Sequence, residues 1–382
     1  MPHYGTVDLV AEVIGAVKGP SFYFYDMTPL QPAPHFAGPP ERPPQRQWRG
    51  PLFVAGTWRS GTSLLYALLN KHPQIGLMYE GDLFLLRPLF WMPGAGSRWL
   101  ARWEFYNGAV SRHGLDAKRI PSTISRLSTA IEKAYQEYAR QKDALIWGEK
   151  SVHMHHSLER LVKDFPDARF IFLWRDLAAI CGSVLRAKND FFLGRSRMTE
   201  RTLARYKTLK VQCDRLISRG VPVHQIHYET LVKDPAGVMA DVCKFLDVPF
   251  VPAIASLEGA DRSAIYEGAH HALVRSECIV SSLERSEAVS ADLQRKIERY
   301  ITMWREESGG EWPLLSFPQT GDSGKPSLRE QLFDRVVYCW LRTYDSMALF
   351  TSCFVPSHFL SKLRIYKNRF LHRNPPGAFW LR

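Results

Sequence analysis

Gly56-Thr57-Trp58-Arg59-Ser60-Gly61-Thr62-Ser63 follows the apolar run Leu52 to Ala55 and opens a helix-like segment, Thr62 to Lys71. A strand, a glycine-bounded turn and a helix in that order present backbone N–H groups and a helix N-terminus to one point, so a phosphate is the expected guest. The spacing is the G-x-x-x-x-G of a nucleotide loop, but Thr62 stands where a triphosphate-binding loop has its lysine. A triphosphate is therefore not the expected ligand. The cation comes earlier, at Arg59, within reach of a phosphate in the loop and of a group being transferred from it. Without a ligand the same residues would make only a tight glycine turn.

A second constellation lies 116 residues on, where the strand-like Phe170 to Trp174 ends in Arg175-Asp176 and a helical segment carries Ser183 eight positions after the arginine. Eight residues at about 100° each return to within about 80° of the start, so a strand-end arginine and this serine can reach one phosphate. Taken alone, Asp176 is an ordinary helix N-cap and Ser183 a small residue on a packed face. A third stretch, His227-Tyr228-Glu229-Thr230-Leu231-Val232-Lys233-Asp234-Pro235, precedes Phe245-Leu246. Together, Trp58 to Leu65 with His72-Pro73, Phe170 to Arg186, and His227 to Leu246 resemble the three donor-binding segments of sulfotransferases that use 3′-phosphoadenosine 5′-phosphosulfate (PAPS). The likeness covers residues 50–306 and is nearer the tyrosylprotein and carbohydrate branch than the cytosolic aryl branch. It implies that Arg59, Ser60, Gly61, Thr62 and Ser63 hold the 5′-phosphosulfate, that Arg175 and Ser183 hold the 3′-phosphate, and that Tyr228 lies at the adenine side.

Sulfuryl transfer is an in-line displacement, and like phosphoryl transfer it asks the protein for cations and oriented N–H groups. No metal is expected. Arg59 is one cation; Lys150, in Trp147-Gly148-Glu149-Lys150-Ser151 just past a predicted strand, resembles the lysine that the family places near the sulfuryl group, although alone it reads as a solvated lysine. Glu80, twenty-one residues after Arg59 and at the end of Ile75 to Tyr79, matches the offset of the catalytic glutamate in the tyrosylprotein-type branch. A carboxylate held partly out of water is a better base than one in bulk solvent. Its structural alternative is a pair with Arg59 or Arg87, and His113 competes as the base from what reads as an exposed turn. There are departures from the family pattern. Leu64 replaces an aromatic residue, Leu83 replaces the arginine three past the glutamate, and no R-K-G-x-x-G segment follows. Arg275-Ser276 with Val280 weakly resembles an R-S-x-x-x-V segment that would bring Ser276 near the donor. His153, His155 and His156 are expected on different faces of one helix with no carboxylate to complete a metal set.

These residues need a frame. Apolar runs at Leu52, Ile75, Ala144, Phe170 and Val223 alternate with helical patterns at Thr62 to Lys71, Val152 to Phe165, Leu177 to Lys188, Thr199 to Arg219, Gly237 to Leu246 and Ala291 to Trp304. Short buried strands between helices predict an α/β, P-loop-like three-layer fold, a central parallel sheet flanked by helices. Residues 81–125, rich in aromatics and arginine, read as a helical insertion after the first βα unit. Seven prolines between Pro29 and Pro44 mark residues 1–47 as an arm, residues 48–312 form the transferase domain, and 313–382 are an appended segment.

The 382 residues are 45% hydrophobic, which excludes a disordered or collagen-like chain, and the net charge of +12 favours anionic partners. Six cysteines without a C-x-x-C pair point to a reducing, cytoplasmic setting. Met1 to Pro20 lacks the form of an export signal, and no apolar run reaches the ~18 residues of a membrane span. In the tail, Phe333, Val336, Val337, Trp340, Leu341, Tyr344, Met347 and Ala348 make one apolar helix face that needs the core, a second copy of the chain in a homodimer, or a membrane. Lys362 to Arg382 adds six basic residues, four aromatics and no acid, so residues 328–382 suit peripheral docking on an anionic membrane surface. The acceptor is expected to bear a hydroxyl, with a glycan, lipid or glycolipid favoured over other small molecules, and PAP is the product. Nucleic acid is not expected as a partner. The alternatives are a PAP-binding module without transfer and, behind it, an NTP-dependent kinase.

Overall fold

The computed structural model describes residues 48–85, 114–115, 127–186, 198–265, 274–276, 278–279, 290–308 and the isolated helical positions Leu332 and Val336. The proline-rich arm, His113, most of the aromatic insertion and most of the appended tail lie outside the described residues.

Five strands, β1 (Leu52–Gly56), β2 (Ile75–Tyr79), β3 (Ile146–Ser151), β4 (Arg169–Trp174) and β5 (Val223–His227), form one sheet in the order β2-β3-β1-β4-β5. All four pairings are parallel. Alternation along β1 and β4 sorts the core: Phe53, Phe170, Phe172 and Trp174 face one side, and Leu52, Val54, Ile171 and Leu173 the other. On the first side pack α2 (Leu127–Arg140), α3 (Leu158–Asp164), α4 (Leu177–Arg186), α5 (Met198–Ser218) and α8 (Ala291–Ser308). On the second pack α1 (Thr62–Leu69), α6 (Tyr228–Lys233) and α7 (Pro235–Leu246). This is the three-layer α/β fold expected.

Two elements differ from the sequence reading. The apolar run ends at Trp147, yet β3 continues through Glu149, Lys150 and Ser151, all buried. Ladder pairing of Phe53 with Glu149 and Val54 with Lys150 carries the strand past its apolar residues. The predicted single helix from Val152 breaks into a 3-10 turn, Met154–His156, and the shorter α3. Gly148 makes the β1–β3 approach feasible: its φ is 149°, and a Cβ there would lie 1.9 Å from the Leu52 carbonyl oxygen.

After β3 the chain crosses β1 to lay down β4, so the carboxyl ends of β1, β3 and β4 converge on one crevice. In open α/β sheets, ligands bind at such a reversal point.

Candidate active site

The loop after β1 turns through Arg59 at φ 68° and Gly61 at φ 97°. Gly61 is the N-cap of α1 and no side chain caps that helix, so its first-turn N–H groups face the crevice. Ser60 instead ties the loop to itself, with its hydroxyl donating to the Thr57 carbonyl at 2.7 Å. A Cβ on Gly61 would meet the Tyr228 ring at 2.4 Å, so only glycine lets the loop lie against that ring.

Arg175, at the end of β4, donates from Nη1 to the Arg59 carbonyl at 2.8 Å, and its guanidinium lies 4.3 Å over the Tyr228 ring. Arg59 Nε donates to Ser183 Oγ at 2.8 Å. Arg59, Arg175, Ser183 and Tyr228, dispersed in sequence, thus meet around one loop. Asp176 serves as the cap of α4 as well, accepting from the Ala179 N–H at 2.7 Å. Its own N–H donates to Glu229 at 2.9 Å, which fixes the strand end that carries Arg175.

Across β1, Lys150 Nζ donates to Glu80 Oε1 at 2.5 Å with both side chains buried. The backbone joins them again, the Glu80 N–H donating to the Lys150 carbonyl at 2.9 Å. Lys150 is therefore neither solvated nor beyond its strand, and it is a partner of Glu80; Arg87, named in the structural alternative, lies outside the described residues. Lys150 also sits 4.3 Å over the Tyr79 ring, whose hydroxyl shares a 2.8 Å hydrogen bond with Ser63 of the phosphate loop. Of five non-glycine residues with positive φ among those described, Arg59, Glu80 and Asp82 are three. Left-handed backbone costs about 1–2 kcal/mol per residue, and its concentration here marks a constrained site.

Behind the pair lies a buried polar layer that the sequence did not disclose. Ser151 Oγ donates to Asp82 Oδ1 at 2.5 Å, and His153 Nδ1 lies 3.2 Å from Asp82 Oδ2. One carboxylate, that of Asp82, stands beside one of the three histidines, and among the described residues no group of three or more His, Cys, Asp or Glu side chains is placed to hold a metal ion. The 3-10 turn begins after His153 instead of including it in a helix. Glu149 accepts from the Asp82 N–H and from the Tyr135 hydroxyl. Burial, followed by the nearby Asp82 charge, pushes the Glu149 carboxyl well above the usual carboxylate range. Burial also works to raise Asp82, but His153, the Ser151 hydroxyl and Lys150 together outweigh it and hold Asp82 below its ordinary value. The available signal was Asp82 two residues beyond Glu80, but no spacing rule links it to residue 153.

Ser276 sits in a turn, its hydroxyl donating to the Cys278 carbonyl at 2.6 Å and its carbonyl accepting from Arg262 Nη2 at 3.0 Å. Its place beside a donor stays a proposal, as does any role of His113.

Residues 51–252 match the model of the Sulfotransferase family, more than half of the chain. The chain belongs to the sulfotransferase family. Its similarity to protein-tyrosine sulfotransferase 1 of Danio rerio is 27% identity over 213 residues, covering 53% of this chain and 54% of that protein. Protein-tyrosine sulfotransferase A of Caenorhabditis elegans is 24% identical over 243 residues, covering 62% of this chain and 56% of that protein. The chain thus spans little more than half the length of these two sulfotransferases. Among solved structures, the sulfotransferase domain from the curacin biosynthetic pathway is 19% identical with a TM-score of 0.47, covering 70% of this chain and 100% of that domain.

Proposed function

We propose that this protein transfers a sulfuryl group from PAPS to a hydroxyl of an acceptor, releasing PAP. The observation that carries the reading is the buried Lys150–Glu80 pair, tied to the phosphate loop through Tyr79 and Ser63. The residues present suit the donor: uncapped N–H groups on α1 and Arg59 for the 5′-phosphosulfate, Arg175 and Ser183 for the 3′-phosphate, and the Tyr228 ring for adenine. When bound, PAPS supplies a sulfuryl group already activated by its link to phosphate. The chain's own residues then position and neutralise. Glu80 takes the proton from the acceptor hydroxyl as the new sulfur–oxygen bond forms and the bond to the donor phosphate breaks. Lys150 and Arg59 offset the charge on the transferring oxygens and on the departing phosphate. Asp82, Glu149 and His153 hold the Glu80 turn and β3 in place.

The names of the relatives point to peptide tyrosine as acceptor. Leu83 lacks the cation that the tyrosylprotein branch carries there, so a hydroxyl of a carbohydrate, lipid or glycolipid is favoured. In this reading the protein works in the cytoplasm, with residues 328–382 at the inner face of a membrane. The buried Lys150–Glu80 pair at the strand ends favours transfer over a PAP-binding module. The test is to compare PAP, ADP and ATP binding, then incubate with labelled donor and a cell extract fractionated into lipids, glycans and peptides. Preference for PAP and label entering one fraction is expected; preference for ATP, or PAP binding with no fraction labelled, refutes the reading.

A further inference from the structure

The register of β2 on β3 sets Tyr79 directly opposite Lys150, so the two side chains stand together on the face of the sheet that α1 covers. The Lys150 ammonium lies 4.3 Å over the Tyr79 ring, and the Tyr66 ring of α1 meets that ring edge-on with centroids 4.9 Å apart. These contacts bury Tyr79 fully and hold its hydroxyl 2.8 Å from Ser63 Oγ. Ser63 lies one turn before Tyr66, in the first turn of α1, among the N–H groups that face the crevice.

A serine hydroxyl has one proton to give and room to accept. On a helix that proton commonly goes to the carbonyl four residues back. Here that carbonyl belongs to Arg59 and accepts from Arg175 Nη1. Among the described residues, Tyr79 is the hydrogen-bond partner of the Ser63 hydroxyl. A phenol is the stronger acid and the weaker acceptor of the two, so the proton in the shared bond belongs to Tyr79 and Ser63 keeps its own.

We propose that Tyr79 is a positioning residue for the donor: its hydroxyl donates to Ser63 Oγ, which leaves Ser63 to donate its own proton to the 5′-phosphate in the loop. The proposal rests on the sulfuryl-transfer reading, in which that loop holds the 5′-phosphosulfate. Hydrogen bonds in a chain reinforce one another, because an oxygen that accepts becomes a better donor. Tyr79 therefore acts on the 5′-phosphate and on no other part of the nucleotide. Its ring at the same time braces Lys150, so one residue of β2 serves both the loop and the Lys150–Glu80 pair.

Tyr79→Phe keeps a ring against Lys150 and Tyr66 and removes only the hydroxyl. The test compares PAP with adenosine 3′-phosphate, which lacks the 5′-phosphate, by calorimetry on full-length wild type, Tyr79→Phe, Ser63→Ala and the double variant. PAP affinity should fall about three- to tenfold in Tyr79→Phe, the range of one hydrogen bond, while adenosine 3′-phosphate stays within about twofold of wild type and so shows that the variant is folded. On the Ser63→Ala background, adding Tyr79→Phe should cost PAP nothing more, since the hydroxyl acts through Ser63. Unchanged PAP affinity in Tyr79→Phe, an equal loss for both nucleotides, or a loss that repeats in full on the Ser63→Ala background overturns the role of Tyr79. Loss of the fold in Tyr79→Phe would make the hydroxyl a structural group and overturn it too. A wild-type protein that binds PAP no tighter than adenosine 3′-phosphate overturns the sulfuryl-transfer reading on which the proposal stands.

Discussion

Arg175 serves two partners at once, holding the Arg59 carbonyl and lying over the Tyr228 ring. The roles proposed for Arg175 and Ser183 predict a selective loss: Arg175→Ala removes a charge-assisted contact worth roughly 1.5–3 kcal/mol. PAP affinity should fall about tenfold to a hundredfold, while adenosine 5′-phosphosulfate, which lacks the 3′-phosphate, binds nearly as before. Titration of both nucleotides checks this, and equal losses would remove the 3′ assignment. At the reacting centre, Glu80→Gln should lower turnover by about 10²–10⁴ with PAP affinity kept. Lys150→Ala should cost on the order of 10² in kcat if the ammonium stabilises developing charge, and an effect on KM alone would make it a positioning residue. A Glu80→Gln enzyme within a few-fold of wild type would shift the base to another group. Arg175 was legible from type and place, because a strand-end arginine is a local pattern, whereas Glu80 and Lys150 were singled out only by resemblance to the family's segments. The pairing of Glu80 with Lys150, seventy residues apart, was not legible.

At the scale of elements, β3 does most to build the site. Its last residues place Glu149 and Lys150 on opposite sides of the sheet, Glu149 toward Tyr135 of α2 and Lys150 toward Tyr79 of β2. An apolar-run reading stops the strand at Trp147, since buried charge is not what a strand end is expected to contain. The charge is tolerated because β2, the Glu80–Asp82 turn and α2 supply partners. This layer has a pH signature. The Glu149 carboxyl is raised, so its contribution to stability is complete below the ordinary glutamate range and is lost as pH rises through its higher folded value. Asp82 is lowered, so its contribution is present above the ordinary aspartate range and is lost as pH falls through its lower folded value. Glu149→Gln keeps an acceptor for the Asp82 N–H and can donate to the Tyr135 oxygen. Its stability relative to wild type should therefore increase as pH rises above the glutamate range. Denaturant unfolding of both proteins from acid to mildly alkaline pH tests this, and a difference that stays flat or reverses would show that Glu149 is ionised in the fold.

For the whole molecule, the sheet, its two helical layers and the crevice at the β1, β3 and β4 ends are all contained within residues 48–308. No helix among the described residues is long and apolar enough to cross a membrane. Further on, the helical positions Leu332 and Val336 leave 65% and 59% of their surface exposed, an apolar presentation one turn apart. With the basic, aromatic run from Lys362 to Arg382, this motivates a test by co-sedimentation with liposomes. Full-length protein should bind vesicles containing anionic lipid, more weakly in high salt, and a chain ending near Gly321 should not. A truncated chain that is insoluble would assign the helix to the core and remove the lipid reading. Local chemistry and hydrophobic period were enough to read the parallel α/β frame and the phosphate loop, because each is set within a few residues of itself, while the partners of the loop further along the chain came from the resemblance to the family. Tertiary structure alone decided that Lys150 is buried against Glu80, that Asp82 belongs to His153, and that Arg205 lies over Trp58. Those pairings depend on which strands become neighbours and on the exact register between them, and no single segment of the sequence carries that information.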